Sequence, residues 1–287
     1  MSEGPNLFAS RAGIEARFPG QFRTDWQSRG LAIGAVLAMA ALFVAGLVQL
    51  EIPFSRLIPG TAQLGDFIWT MLPPDPGSWE KTLIYLKAMG ETLSISLLGT
   101  FGGALLAFPM ALLAARNVVA NRIVHFLARR WLDTVRGVDT LIWALIWVSV
   151  VGLGPFAGIL ALMCSDFGSF GKLFSEAIET ADKRPVEGVL STGGDHVHGV
   201  RFGLLPQVVP VLASQVLYYF ESNTRSATII GIVGAGGIGA QLSEQIRVLE
   251  WQKVAFIILL ILVTVALIDW LSSRLRFAII GKAAASH

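Results

Sequence analysis

Glu221 and Arg225 are two ionisable residues inside a long apolar stretch, residues 206–233. Because they stand four positions apart, they share one helix face and can pair, which lowers the cost of placing both at membrane depth. An arginine beside hydroxyl groups can bind the oxygens of a phosphorus oxyanion, so the stretch is a candidate path for such an anion. The alternative is that the pair only locks two helices together. The polar side chains that accompany the pair are Ser222, Asn223, Ser226 and Thr228.

A run of glycines follows this stretch. It contains a G-x-G-x-x-G pattern, but the β-strand and the ribose-binding acid that dinucleotide binding requires are not found around it. Glycine tolerates backbone conformations that other residues avoid, and non-helical backbone at membrane depth must be buried or line water. The run therefore predicts a re-entrant turn at the outer end of the helix, and a gate is favoured over a plain turn. Its members are Gly231, Gly234, Gly236, Gly237 and Gly239.

The composition places these residues in a membrane protein. Of the 287 residues, 54% are hydrophobic and 15% are charged, against roughly 25% charged in ordinary soluble domains. The net charge of +2 lacks the large basic excess that nucleic-acid binding requires, so nucleic acid is not an expected partner and membrane lipid is.

Apolar stretches predict an all-α, polytopic protein with six transmembrane helices. The third and fourth stretches are separated by Gly152-Leu-Gly-Pro155, which interrupts a helix. In the second stretch, Gly99, Gly102 and Gly103 predict close helix packing. The six stretches are residues 31–50, 92–115, 138–151, 155–167, 206–233 and 254–271.

The basic residues predict the orientation of these helices, since cytoplasmic loops are enriched in Lys and Arg. Sixteen of the 22 basic residues fall in four clusters, and six helices place all four inside. A single helix over residues 138–167 would export two clusters. The predicted organisation is a cytoplasmic N-terminal segment 1–30, a first helix 31–50, an irregular extracytoplasmic segment 51–88, a core 89–275 and a cytoplasmic tail 276–287.

The predicted cytoplasmic loop 180–206 carries a second candidate site. A hydrophilic loop of this length with a glycine pair predicts a short helix, a bend and a second helix on the membrane surface, which is a docking surface; an ordinary connecting loop is the alternative. Glu187, Gly193 and Leu205-Pro206 match the spacing E-x5-G-x11-L-P of the EAA loop of ABC-importer permeases. Gly188 stands where that loop usually has alanine, and Gly194 completes the glycine pair.

Further segments narrow the resemblance: residues 151–158, 175–179, 205–210 and 220–239. Over residues 91–275 the chain resembles the phosphonate ABC-transporter permease family. The resemblance implies the type I (MetI-like) importer fold and a bacterial inner-membrane location. It also implies a homodimer, a cytoplasmic ATP-binding subunit that holds ATP and magnesium, and a periplasmic solute-binding protein. The implied function is import of a phosphonate or related phosphorus oxyanion by alternating access.

Enzymatic classes are disfavoured. The chain has no P-loop, all four histidines lie in predicted cytoplasmic segments, and Asp195, His196 and His198 offer too few ligands for a metal site. No catalytic residue, metal or cofactor is therefore expected in this chain. Two other transporters remain as alternatives. One is an importer of the same architecture for another small solute, such as phosphite, a phosphate ester, methionine or a quaternary amine. The other is an ATPase-independent secondary carrier, which should show inverted repeats.

Replacing Gly193 with a bulky residue is expected to abolish uptake and leave membrane insertion intact, because the side chain would disturb the docking surface. An uptake assay beside a membrane-fraction blot measures both. Normal uptake by the variant would contradict a docking role for this loop.

Overall fold

The computed structural model describes residues 26–50, 57–119 and 121–284. Most of the predicted N-terminal segment 1–30 and the end of the predicted tail lie outside these residues. The chain divides into two compact units, residues 1–66 and 67–287. The first unit contains helix α1 (Trp26–Gln49) and most of helix α2 (Leu57–Thr70). The 24 residues of α1 reach about 36 Å at 1.5 Å per residue, which is enough to cross a membrane.

The second unit is a helical bundle, and the all-α prediction is confirmed over the described ranges. Two π-helical turns, Gly199–Leu204 and Gly231–Ala235, flank the long helix α9. The α-helices are α3 (Trp79–Ala114), α4 (Arg122–Arg136), α5 (Thr140–Val151), α6 (Pro155–Thr180), α7 (Arg184–Ser191), α8 (His196–His198), α9 (Leu205–Ile230), α10 (Gly237–Arg247) and α11 (Trp251–Ala284).

Five helical segments in the described residues are long and apolar enough to span a membrane. They correspond to α1, α3, α6, α11 and α9 with its flanking turns. Helices α4 and α5 meet at an 83° bend and add a sixth span if the pair counts as one. The predicted break between α5 and α6 is confirmed: Gly152 and Gly154 have φ of +91° and +135°, and Pro155 begins α6.

The structure differs from the sequence prediction in four details. Segment 51–88 is not irregular, because it contains α2 and the first residues of α3. Pro59 lies in the first turn of α2, where its missing N–H costs no hydrogen bond. Helix α6 continues to Thr180, and α11 continues through the predicted tail to Ala284. Helix α4 was not predicted, because its four arginines interrupt the apolar run by which the other helices were predicted.

Helices α3 and α6 form the most extensive helix contact among the described residues. A Cβ atom added at Gly99 would lie 2.5 Å from Leu162 Cβ, and one at Gly103 would lie 2.8 Å from Asp166 Cβ. The predicted role of these glycines in close packing is confirmed. This contact fixes the depth at which the polar residues of α3 and α6 meet α9.

Two identical substitutions in α3 are expected to have opposite effects on stability. Gly99→Ala places a methyl group against Leu162 and lowers the free energy of unfolding by about 1–3 kcal/mol, typical of overpacking. Gly90→Ala meets nothing within 4 Å and is expected to stabilise α3 by up to about 1 kcal/mol. Thermal unfolding of the purified protein in detergent measures both, and equal shifts would contradict the packing role.

Candidate functional site

Glu221 is the buried acidic residue of α9, and it has two arginine partners. Its Oε2 accepts hydrogen bonds from both Nη atoms of Arg276 on α11, each at 3.1 Å. Its Oε1 accepts a longer bond of 3.5 Å from Arg225 Nη1. The side chain of Glu221 is 9% exposed, that of Arg276 21% and that of Arg225 49%. The predicted Glu221–Arg225 pair is therefore present, but Arg276 is the main partner.

The sequence reasoning missed Arg276. It lies 55 residues from Glu221, and the charge count assigned it to a cytoplasmic cluster. Arg276 also donates to Ser273 Oγ at 3.1 Å, and its guanidinium lies over the ring of Tyr218, 5.9 Å from the centroid. One carboxylate between two guanidinium groups leaves one positive charge in excess. Arg225 is the more exposed of the two cations.

Asn223 lies on a different side of α9 from Arg225. Its Nδ2 donates to Thr100 Oγ1 on α3 at 2.7 Å and to Asp166 Oδ2 on α6 at 2.5 Å. All three side chains are buried. This hydrogen-bonded cluster joins α3, α6 and α9. Asn223 therefore connects helices in this structure.

Two of the hydroxyl groups predicted to line the path donate hydrogen bonds to backbone carbonyl groups of their own helix. Thr228 Oγ1 donates to Thr224 O at 3.3 Å, and Ser226 Oγ donates to Ser222 O at 3.5 Å. Thr228 is buried, whereas Ser222 and Ser226 are half-buried. Ser222 and Ser226 therefore remain the hydroxyl groups of this set that are closest to solvent.

A polar column on α3 was also missed. Thr92, Ser96 and Thr100 are spaced by four residues and buried, so they form one helix face. Ser96 Oγ lies 3.2 Å from Thr224 Oγ1 on α9, and Thr92 Oγ1 accepts from the N–H of Ile238 at 2.8 Å. Hydroxyl residues at i, i+4 and i+8 in an otherwise apolar stretch were the sequence signal for this face.

The glycine run forms a tight turn between α9 and α10. Gly234, Gly236 and Gly237 have φ of +103°, +82° and +70°, conformations that L-side chains rarely adopt. A Cβ at Gly239 would clash with Thr228 O, and one at Gly231 would lie 2.5 Å from Gly236 O. The start of α10 therefore folds back onto the end of α9, as predicted for a turn.

Two neighbours hold this turn in place. The N–H of Gly154 donates to Gly234 O at 2.9 Å, which ties the turn to the α5–α6 break. The N–H of Gly237 donates to Glu91 Oε1 on α3 at 3.2 Å. The backbone groups that the turn frees thus find partners inside the protein, as a non-aqueous environment requires.

The predicted docking loop forms a hairpin made of α7, α8 and the π-helical turn 199–204, which we call the coupling hairpin. Gly193 has φ of +90°, and the next N–H, of Gly194, donates to Val189 O at 3.2 Å. A Cβ at Gly203 would lie 2.6 Å from Val186 Cα, so the two arms are in direct backbone contact. The predicted helix, bend and second helix are present, and the second arm leads directly into α9.

The exposed side of the coupling hairpin presents Glu187 and Gly188 to solvent. Leu205 is half-buried and Pro206 is exposed in the first turn of α9. Asp195 accepts hydrogen bonds from the backbone N–H of His198 and from its ring, which together hold the pKa of Asp195 below its usual range. The described residues contain no group of three or more possible metal ligands.

A family comparison decides the class of protein to which the chain belongs. Residues 107–279 match the model of the binding-protein-dependent transport system inner membrane component. The chain belongs to this family. It is thus a permease and not the catalytic subunit of its transporter.

Similar proteins are permeases as well. HtxC of Stutzerimonas stutzeri, named for a phosphite transport system, is 39% identical over 246 residues, which cover 86% of either chain. PhnE2 of Escherichia coli K12, named for a cryptic phosphonate transport system, is 50% identical over 118 residues, or 41% of this chain and 97% of PhnE2. The inward-facing structure of the MetNI methionine ABC transporter contains a chain that matches the fold with a TM-score of 0.62 at 19% identity. That match covers 70% of this chain and 99% of the solved one.

Removing Arg276 is expected to destabilise the permease more than removing Arg225. Arg276→Gln leaves a buried carboxylate with one distant partner, at a cost of about 3 kcal/mol. Arg225→Gln removes a half-exposed pair worth less than about 1 kcal/mol. Thermal unfolding in detergent compares them, and the double variant Glu221→Gln/Arg276→Gln should recover part of the loss. Equal losses for the two single variants would contradict the assignment of Arg276 as main partner.

Proposed function

We propose that this permease carries a phosphorus oxyanion of the phosphonate or phosphite type into the cell, as the membrane subunit of an ABC importer. The observation that carries the proposal is the charge balance at Glu221. Because Arg276 provides the two shorter hydrogen bonds to this carboxylate, Arg225 is left half-exposed, with one positive charge in excess. An exposed guanidinium can bind an oxyanion through two parallel hydrogen bonds.

The weakness of the Arg225–Glu221 contact suits transport. At 3.5 Å the bond is long, so Arg225 can exchange its partner for a passing anion at low cost. A carried solute must be held weakly enough to leave. Ser222 and Ser226 add hydroxyl donors beside Arg225, and the names of HtxC and PhnE2 support the same class of solute.

The coupling hairpin is proposed to receive a separate cytoplasmic ATPase subunit, which binds ATP and magnesium. Its exposed residues Glu187 and Gly188 and the Gly193 bend form the docking surface, while Leu205 and Pro206 connect it to α9. Two states of the ATPase that contact this hairpin differently would bias the inward or outward form of the permease. In this scheme both termini are cytoplasmic.

The complete transporter is proposed to contain two copies of the permease and a periplasmic solute-binding protein. The turn at Gly231–Gly239 would act as the gate that faces this protein. The turn suits that role because three of its glycines hold positive φ and its backbone hydrogen bonds run to α3 and to the α5–α6 break.

Uptake by the assembled importer tests the solute. Cells that lack phosphonate and phosphite uptake should express the permease together with its ATPase and binding-protein partners. We expect uptake of labelled methylphosphonate or phosphite, and none without the ATPase. Uptake of methionine or choline instead would support an importer of another solute, and uptake without the ATPase would support a secondary carrier.

Arg225→Gln is expected to reduce oxyanion uptake about tenfold or more, the equivalent of one charge-assisted hydrogen bond. Arg225→Lys keeps the charge but loses the paired donors, so its uptake should be intermediate. Arg247→Gln removes an exposed arginine from the end of α10 and serves as the control with unchanged uptake. Wild-type uptake by Arg225→Gln would show that the arginine does not contact the solute.

A further inference from the structure

Helix α4 has three faces with different chemistry. Ala128 and Leu132 are buried and pack against the bundle through Met110 and Phe167. A second face carries Arg122, Arg129 and Arg136 at seven-residue intervals, which places them in one stripe. The third face is apolar and exposed: Ile123, Phe126, Leu127 and Trp131 are 57–70% exposed.

The position of α4 relative to α5 indicates what covers the apolar face. Helix α5 is one of the apolar segments of the bundle, and α4 leaves it at 83°. With 12 residues, α5 enters the apolar layer but is too short to cross it, and a helix perpendicular to it lies along the membrane surface. Four arginines in the 15 residues of α4 also make its burial in hydrocarbon costly. An apolar face bordered by arginines is typical of a helix that lies in the lipid interface.

A cleft of about 500 Å³ lies at the connection between α3 and α4. It is lined by Arg116, Val119, Arg122, His125 and Phe126. Arg116 Nε donates to His125 Nε2 at 3.1 Å, so the neutral ring carries its hydrogen on Nδ1. That atom is buried and has no partner in the part of the chain that the structure describes.

The cleft carries two arginines that no carboxylate side chain neutralises among the described residues. Glu179 forms an ion pair with Arg129 at 2.8 Å. Its hydrogen bond from Arg116 comes from the backbone N–H and not from the guanidinium. No ion pair of Arg122 occurs in the same ranges, whereas Arg130 on the same helix pairs with Asp133 at 2.8 Å. The side chains of Arg116 and Arg122 thus line one cleft without a carboxylate partner among the described residues, next to an exposed apolar face.

From this geometry we propose that α4 binds an anionic phospholipid, with the phosphate of the headgroup between Arg116 and Arg122 and the acyl chains along Ile123, Phe126 and Leu127. A free phosphate ion would use the arginines but leave the apolar face exposed. A phospholipid satisfies both features. The site is separate from Arg225 and does not depend on the identity of the transported solute.

Native mass spectrometry of the purified full-length permease tests the headgroup site, with phosphatidylglycerol and phosphatidylcholine as probes. The wild type should retain phosphatidylglycerol preferentially. Arg116→Gln/Arg122→Gln should bind it about tenfold more weakly, and Arg122→Gln alone, which alters one exposed side chain, about threefold. Arg247→Gln removes the same charge at the end of α10 and should bind as the wild type does.

Three results would overturn the proposal: unchanged phosphatidylglycerol binding by the double variant, equal retention of the two lipids by the wild type, or displacement of phosphatidylglycerol by millimolar inorganic phosphate. Loss of the ATPase subunit from the purified complex of the double variant, with lipid binding unchanged, would assign the cleft to a protein partner and would also overturn it.

Quenching by brominated phosphatidylglycerol tests the apolar face. Trp131 is exposed on this face, whereas Trp143 on α5 packs against the core. Trp131→Phe should therefore remove more of the quenchable fluorescence than Trp143→Phe. The reverse order would show that lipid does not cover this face of α4.

Discussion

Polar groups inside a membrane bundle must find their partners within the protein, and this constraint explains the side-chain hydrogen bonds that join its helices. Asn223 satisfies Asp166 and Thr100 and thereby joins three helices. Glu221 is satisfied from a fourth helix by Arg276. Because these bonds replace hydration, they fix the relative depth and rotation of α3, α6, α9 and α11 more strictly than apolar contacts could.

Most helices of the fold, and the breaks between them, could be predicted from the sequence. Apolar stretches, the Gly152–Pro155 break and the glycines of α3 each report a local property, such as hydropathy, backbone freedom or side-chain volume. The coupling hairpin was readable for the same reason, since its bend depends on Gly193 and its close arms on small residues. The helical part of segment 51–88 was not predicted because the segment contains five prolines, which interrupt a helix interior but are tolerated in a first turn or between helices.

The hydrogen-bond and ion-pair partners of the polar residues could not be predicted from the sequence. Glu221 has an arginine four residues away, and nothing in a single sequence shows that a second one from α11 lies closer. Asn223 was grouped with the path residues by proximity in sequence, although two positions on a helix turn a side chain by about 200°. Helix α4 was not predicted because it is amphipathic, whereas transmembrane helices are predicted from uniformly apolar stretches.

The second arm of the coupling hairpin leads into α9, which has 26 residues and contains Pro210, and α9 leads to the kink at Gly234. At 1.5 Å per residue α9 is about 39 Å long. A tilt of about 10° around one end would displace the other by about 7 Å. A small rotation of the coupling hairpin would therefore reach the glycine turn through a single helix, without any local unfolding.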